Sequence, residues 1–209
     1  QAAGYNATKT NNAGGTYNLS IDNNYSSLTN YVVTKNTGAV TLSKADVTLT
    51  PAVISGSVTY GDAATLKSKL ASETYTNSDL KNGDTTINGL NVTWVTDALK
   101  DNDTHTGNAG KHNLSLTGTS TNYNITGATT TDAINIAQAP LTLNANAVSM
   151  TYGQAESEVK SQYGYSQTGI TNGDDAATVL GTLTYINNAY ATQAAGYNAT
   201  KTNNAGGTY

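Results

Sequence analysis

The residues best suited to chemistry in this chain are carboxylates in two short clusters. Asp101-Asn102-Asp103 and Asp174-Asp175 set side-chain oxygens at adjacent or alternating positions, and clustered oxygen donors are what Ca²⁺ takes. Asp101, Asp103, Asp174 and Asp175 are therefore the candidate metal ligands. The plainer reading is that Asp-Asn-Asp and Asn-Gly-Asp are turn sequences, and on it no metal is expected. His105 and His112 flank a Gly-Asn-Ala-Gly stretch and need further ligands before they could hold an ion.

Nothing else reads as a reaction centre. The chain lacks G-x-S-x-G, H-E-x-x-H and a phosphate-binding loop. Its glutamates are Glu73, Glu156 and Glu158, and the last two sit in the first turn of an expected helix, where they complement the helix dipole. The absence of cysteine removes disulfides and thiol nucleophiles. No catalytic residue, no cofactor and no enzymatic activity are expected. Asn-x-Ser/Thr triplets begin at Asn6, Asn18, Asn24, Asn91, Asn102, Asn113, Asn124 and Asn198, about the number that so Asn- and Thr-rich a chain produces by chance. Lys44 and Lys111 are candidates for a spontaneous Lys-Asn cross-link.

Aromatic chemistry rests on fourteen tyrosines, with no phenylalanine. A tyrosine covers a thin core while its hydroxyl reaches water or a partner. Tyr60-Gly61 and Tyr152-Gly153 each close a strand-like run and are read as a structural motif, the ring plugging a sheet-helix junction. Tyr31 and Tyr123 fall in strand patterns and are expected in the core. Tyr5, Tyr75, Tyr163 and Tyr165 lie in polar stretches and are expected to make exposed contacts.

The elements that carry these residues repeat. Residues 1–17 recur letter for letter as residues 193–209, about 192 positions later. A weaker repeat of about 92 residues relates Val58-Thr59-Tyr60-Gly61 to Met150-Thr151-Tyr152-Gly153 and Asn82-Gly83-Asp84 to Asn172-Gly173-Asp174. It also relates Asn12-Ala13-Gly14 to Asn108-Ala109-Gly110 and Asn204-Ala205-Gly206. Residues 1–45 thus form the second half of a type B module, 46–139 a complete type A module, and 140–209 the first part of the next type B module.

Within a module, Val47-Thr48-Leu49-Thr50 and Leu141-Thr142-Leu143 alternate apolar residues with threonine, the period of a half-buried strand. Asp62–Ser72 then places Ala63, Leu66 and Leu70 on one helical face behind an Asp62 N-cap, and Gln154–Gln162 is its counterpart. Leu90–Thr96 and its counterpart Gly181–Ile186, then Asn113–Thr117, Tyr123–Thr126 and Ala133–Ile136, read as strands; so do Asn18–Ile21, Tyr31–Thr34 and Ala39–Leu42. The expected class is mainly β with one short helix per module, an α+β, β-grasp-like arrangement. An immunoglobulin-like β-sandwich is the alternative, and it leaves the helical stripe unexplained. A parallel β-helix is disfavoured because no period of about 20 residues is present. The junctions Lys44-Ala45-Asp46 and Gln138-Ala139-Pro140 are too short for flexible linkers, which predicts an elongated, semi-rigid rod.

Composition narrows the partners. The net charge is −4, charged residues are 11% of the chain, and there is no arginine, so a nucleic-acid backbone is a poor partner. No apolar run approaches the roughly 18 residues that cross a membrane. Neighbouring modules of the same chain are the expected partners, followed by other copies of the fibre or cell-surface glycans.

The pieces at 44–62 (KADVTLTPAVISGSVTYGD) and 138–154 (QAPLTLNANAVSMTYGQ) resemble the opening of the MBG domains of bacterial surface proteins, the Tyr-Gly type. NAGKHNLSLTGTSTNYNIT and NAGGTYNLSIDNNYSSLTNYVVT resemble their second half, so the likeness spans the chain. Asp46 departs from it, standing where Pro140 stands in the other copy. The resemblance implies tandem repeats of a large secreted adhesin or haemagglutinin-like exoprotein, an extracellular place on the bacterial cell surface, a stalk or filament role in cell adhesion and biofilm formation, and no catalytic residues.

Overall fold

A computed structural model describes residues 15–21, 30–78 and 80–187. The first strands, β1 (Gly15–Leu19) and β2 (Gly38–Leu42), form an antiparallel pair. Tyr31-Val32-Val33-Thr34 forms no strand between them, and Tyr31 is 76% exposed instead of entering a core.

In β3 (Ala45–Pro51) the alternation turns Val47, Leu49 and Pro51 inward and Asp46, Thr48 and Thr50 outward. Gly56, at a left-handed φ of +73° that a side chain resists, bends the chain into β4 (Ser57–Thr59). Helix α1 (Ala63–Ala71) comes after it. The Asp62 carboxylate accepts the Thr65 N–H at 3.0 Å, satisfying one of the orphan donors of the first turn. Nine residues are too few for a helix to persist alone in water, and burial of Ala63, Leu66 and Leu70 supplies the rest. Next come β5 (Tyr75–Asn77), β6 (Asn91–Val95), the short pair β7 (Leu99–Lys100) and β8 (His105–Thr106), the long β9 (Gly110–Thr119), β10 (Tyr123–Gly127) and β11 (Thr130–Ala137).

These strands make two sheets, ordered β10-β3-β5 and β4-β11-β9-β6. β10 runs parallel to β3, and β11 runs parallel to β4. The first and last strand runs of residues 45–137 therefore lie side by side in both sheets. β9 joins the two layers through consecutive inward residues. Leu114 packs with Ile54, Val58, Leu66, Leu70, Ile134 and Ile136 beneath α1, while Leu116 packs with Val47, Leu49 and Tyr123. Trp94 of β6 lies against both clusters. Each fully buried leucine or isoleucine here is worth about 1.5–3 kcal/mol of transfer free energy.

The parallel pairing explains the exposed Tyr31. Its counterpart Tyr123 is 3% exposed because β10 takes its ladder from β3, and residues 15–42 contain no counterpart of β3. The pair they do form keeps its register: Val40 faces Tyr17 and Leu42 faces Gly15, as Ile134 faces His112 and Ile136 faces Gly110 between β11 and β9.

Beyond Ala137 the chain repeats part of this plan. β12 (Thr142–Ala145) pairs antiparallel with β13 (Tyr165–Thr168), as β3 pairs with β5. Between them lie α2 (Glu156–Val159) and a 3-10 turn at Lys160–Gln162, shorter than the helix expected for Gln154–Gln162. A further helix, α3 (Ala176–Leu180), comes after β13. Gly181–Ile186, expected as a strand, forms none; its counterpart β6 pairs with β9, and the run equivalent to β9 lies outside the described residues. Among the described residues the protein is mainly β with few helices, and no helix is long and apolar enough to cross a membrane.

Candidate functional site

Three of the four candidate calcium ligands, Asp101, Asp174 and Asp175, already have partners of their own. Asp101, Asn102 and Asp103 all take left-handed backbone angles, with φ of 52°, 56° and 61°, in the turn between β7 and β8. Asn and Asp tolerate that region better than other side chains. The Asp101 carboxylate lies 3.3 Å from His105 Nδ1. Asp174 accepts the Tyr60 hydroxyl at 2.9 Å. Asp175 caps α3, accepting the Thr178 N–H at 2.8 Å. Among the described residues no three His, Asp or Glu side chains converge on a point. His112 is a brace: its ring nitrogens lie 2.9 Å from Asp97 Oδ1 and 2.8 Å from the Asn108 carbonyl. The Lys44 ammonium donates to the Ser120 carbonyl at 2.6 Å and Lys111 stands 3.6 Å from Asp132, so each meets a partner other than the asparagine amide a cross-link needs.

Two of these carboxylates show their capping role in their acidity. Hydrogen bonds from Thr65, hydroxyl first and backbone N–H second, hold Asp62 below the usual aspartate value. The Thr178 backbone N–H and then its hydroxyl do the same for Asp175. Both helices open with the letters D-A-A-T, at Asp62–Thr65 and Asp175–Thr178. The capping letters thus mark α3 as they mark α1, although Asp174-Asp175 reads as part of a turn.

A set of specific contacts joins residues 45–137 to the segment beyond Ala137. The turn Thr171-Asn172-Gly173-Asp174 reaches back to the β7-β8 pair. Asn172 Oδ1 accepts the Thr106 N–H at 2.9 Å while its Nδ2 donates to the Thr106 carbonyl at 3.1 Å. The asparagine amide thus completes the backbone pairing of a buried residue as a neighbouring strand does, and it leaves no buried backbone group of Thr106 orphaned. The Thr106 hydroxyl in turn accepts the Gly61 N–H at 2.9 Å. A Cβ at Gly61 would overlap the Thr171 side chain, and one at Gly173 would stand 3.0 Å from the His105 ring. Both glycines have positive φ, +89° and +74°, so close approach and backbone angle demand the same residue. The Tyr60 hydroxyl on Asp174 completes the set. Beside it lies a cleft of about 450 Å³ whose walls include Tyr60, Asn108, Gln138 and Asp174.

The Tyr-Gly motif therefore lies in this junction at Tyr60-Gly61. Tyr60 also packs, partly buried, on the core beneath α1. Tyr152 does not: it is 73% exposed, and among the described residues no sheet closes over α2. Tyr75 packs on the second core cluster. Tyr163 is half-buried, its ring 5.5 Å from that of Tyr185. Sequence places both among exposed contacts; the cover comes from residues distant in sequence, Val47, Leu49, Leu116 and Tyr123 for Tyr75 and Tyr185 for Tyr163. Tyr165 is exposed, and Tyr5 lies outside the described residues. Thr106 and Asn172 were not singled out from sequence. Asn172-Gly173-Asp174 recurs in the repeat, but its letters alone read as a turn.

No family of known proteins, no curated protein and no solved structure matches this chain.

Proposed function

We propose that this chain is a stretch of structural repeats from the stalk of a long, secreted bacterial surface adhesin or fibre, holding a binding tip away from the cell and supporting attachment or biofilm formation. The observation that carries this reading is the letter-for-letter recurrence of residues 1–17 at 193–209, which implies a tandem array of two alternating module types. The matched register of β1-β2 and β11-β9 supports it. So do the two parallel strand pairings around α1, a β-grasp-like trait, and the hydrogen-bonded junction at Thr106 and Asn172. On this reading each Tyr-Gly-type (MBG) module is a bead, the junction sets the angle between beads, and the role asks for no catalytic group.

Electron micrographs of the intact protein test this. An unbranched filament with a rise of about 35–45 Å per module is expected for globules of this size. A compact particle, or an intact gene with a single copy of the repeat, sinks it.

The cleft beside Tyr60 favours a second reading, in which each repeat weakly contacts a cell-surface glycan. An aromatic face with amide and carboxylate groups suits a sugar, and weak sites gain in many copies. Reproducible binding to a glycan array, lost in Tyr60→Ala, would establish it.

A further inference from the structure

One core cluster of residues 45–137 occurs again in this chain, its members divided between the segment before that module and the segment after it. In the complete module Val47 and Leu49 of β3 pack with Leu116 of β9 and Tyr123 of β10, and the four are 1%, 0%, 3% and 3% exposed. By the repeat, Val47-Thr48-Leu49 corresponds to Leu141-Thr142-Leu143, Asn113-Leu114-Ser115-Leu116 to Asn18-Leu19-Ser20-Ile21, and Tyr123-Asn124-Ile125-Thr126 to Tyr31-Val32-Val33-Thr34. The four counterparts Leu141, Leu143, Ile21 and Tyr31 are 40%, 44%, 62% and 76% exposed. Each segment thus carries half of a core in the open.

Both segments already hold the backbone pairing that the complete module uses. Val40 lies opposite Tyr17 and Leu42 opposite Gly15, as Ile134 lies opposite His112 and Ile136 opposite Gly110. Leu143 lies opposite Gln167 and Ala145 opposite Tyr165, as Leu49 lies opposite Asn77 and Pro51 opposite Tyr75. Among the described residues no strand pairs with the other edge of β12, the edge at which β3 receives β10. The acceptor for the buried tyrosine is preformed too. Tyr123 donates to Asp84 Oδ2 at 2.7 Å, in a turn closed by the Asp84 N–H on the Lys81 carbonyl at 3.0 Å; Asp174 stands in the same turn, its N–H on the Thr171 carbonyl at 3.0 Å. A carboxylate accepts more than one hydrogen bond, so Asp174 can take the Tyr31 hydroxyl beside that of Tyr60. Surfaces held in their docked shape before contact pay less ordering entropy on binding.

We propose that residues 15–42 of one chain dock on residues 140–187 of a second copy and complete the sheet there. Residues 31–34 lie parallel to β12, with Tyr31 opposite Ala139 and Val33 opposite Leu141, as Tyr123 lies opposite Ala45 and Ile125 opposite Val47. Ile21 packs on Leu143 and brings β1 beside residues 181–186, the run whose counterpart β6 pairs with β9, so that run becomes a strand. Neither 31–34 nor 141–145 carries a charge that opposes the pairing, and an uncharged strand edge is poorly guarded against an added strand. The contact is head-to-tail, because the segment that donates differs from the one that receives. It deepens the tandem-array reading, on which it rests: there the two segments are halves of type B modules, and the following repeat makes the same contact within one chain.

Two exposed positions of the whole chain suffice for the test. Ile21→Lys spoils the donating segment and Leu143→Lys the receiving one, and each is a surface change that leaves the fold of the single chain intact. In analytical ultracentrifugation the unaltered protein is expected to form dimers and longer species as its concentration rises to about 1 mM, the range of weak contacts. Each variant alone should stay monomeric. An equimolar mixture of the two should form a dimer and nothing larger, several-fold above either alone, since one intact donor then meets one intact receiver. In that dimer amide exchange should slow at residues 31–34 of the Leu143→Lys chain and stay unchanged there in the Ile21→Lys chain. An unaltered protein that stays monomeric, variants that associate as it does, or a mixture no more associated than its parts overturns the contact and leaves the array, which rests on the repeated letters. A single-copy gene sinks the array and leaves the dimer standing, since the contact needs only two molecules.

Discussion

Leu49 and Leu143 hold the same place in two strand runs of one pattern, yet Leu49 is fully buried and Leu143 is 44% exposed. The local pairing does not differ, because β3 lies antiparallel to β5 as β12 lies to β13. What differs is the other edge. β3 also receives β10 in parallel, and β9 packs beneath it; β12 has a partner on one side among the described residues. An apolar-threonine alternation thus equips a face for burial, and burial itself depends on strands from far along the chain, β10 setting Tyr123 opposite Ala45 and β9 bringing Leu116 against Leu49.

The two cognate helices make the same point from the side of local chemistry. Asp62 caps α1, whereas Gln154 at the equivalent position turns its side chain to the Thr151 N–H at 2.6 Å. Glu158 accepts the Ala155 N–H at 2.6 Å, which tethers the first turn but supplies no cap oxygen. Leu66 and Leu70 correspond to Glu158 and Gln162, so α2 lacks the stripe that anchors α1, and it ends after Val159.

The sharpest way to break the comparison is to truncate both leucines. Leu49→Ala should cost about 2–5 kcal/mol through lost transfer and an unfilled cavity. Leu143→Ala should cost about 0.5 kcal/mol or less, the range of surface changes. Urea unfolding monitored at Trp94 reads the first; equal losses would mean that β12 has a core of its own.

Next in size is Asn172→Ala. It strips the Thr106 backbone of both partners, and an unpaired buried amide costs about 1–3 kcal/mol. Amide exchange at Thr106 should accelerate, while exchange at Leu66 in α1 stays unchanged. Unaltered protection at Thr106 would mean the junction does not depend on this side chain.

A smaller effect concerns the caps. Asp62→Ala should speed amide exchange at Thr65 and lower the melting temperature, and Asp62→Asn should restore most of both, since asparagine caps nearly as well. Gln154→Asp should slow exchange in α2 if the missing cap is what shortens that helix; no change there would assign the difference wholly to the missing leucines.

The smallest effect is the pH dependence. Asp62 and Asp175 titrate below the ordinary 3.8 in the folded chain, so the stability they contribute is present above that value and is lost as pH falls through their lower folded values. Tyr123 runs the other way. Burial, and then its bond to Asp84, raises it above 10.0, so its contribution is present below that value and is lost as pH rises through its higher folded value. Melting temperature should therefore fall in strong acid and in strong alkali. The acid limb should flatten in Asp62→Asn with Asp175→Asn, and the alkaline limb in Tyr123→Phe.

Much of this protein is written in short range. The alternation of β3, the Asp62 cap, the Ala63-Leu66-Leu70 stripe, the Asn-Gly turns at 82 and 172 and the repeat itself are all legible, because each depends on neighbours within a few residues or on identity of letters. Tyr31, Tyr152 and Gly181–Ile186 are misread for a common reason: each resembles a residue or strand whose environment is built by a distant run. Only the tertiary structure decided that Tyr60-Gly61 meets Asn172-Asp174, that Thr106 lies buried between them, and that one leucine of a matched pair is core while the other is surface. Such facts belong to pairs of segments brought together in space, and hydrophobic burial and backbone pairing reward a sequence pattern only when both partners are present.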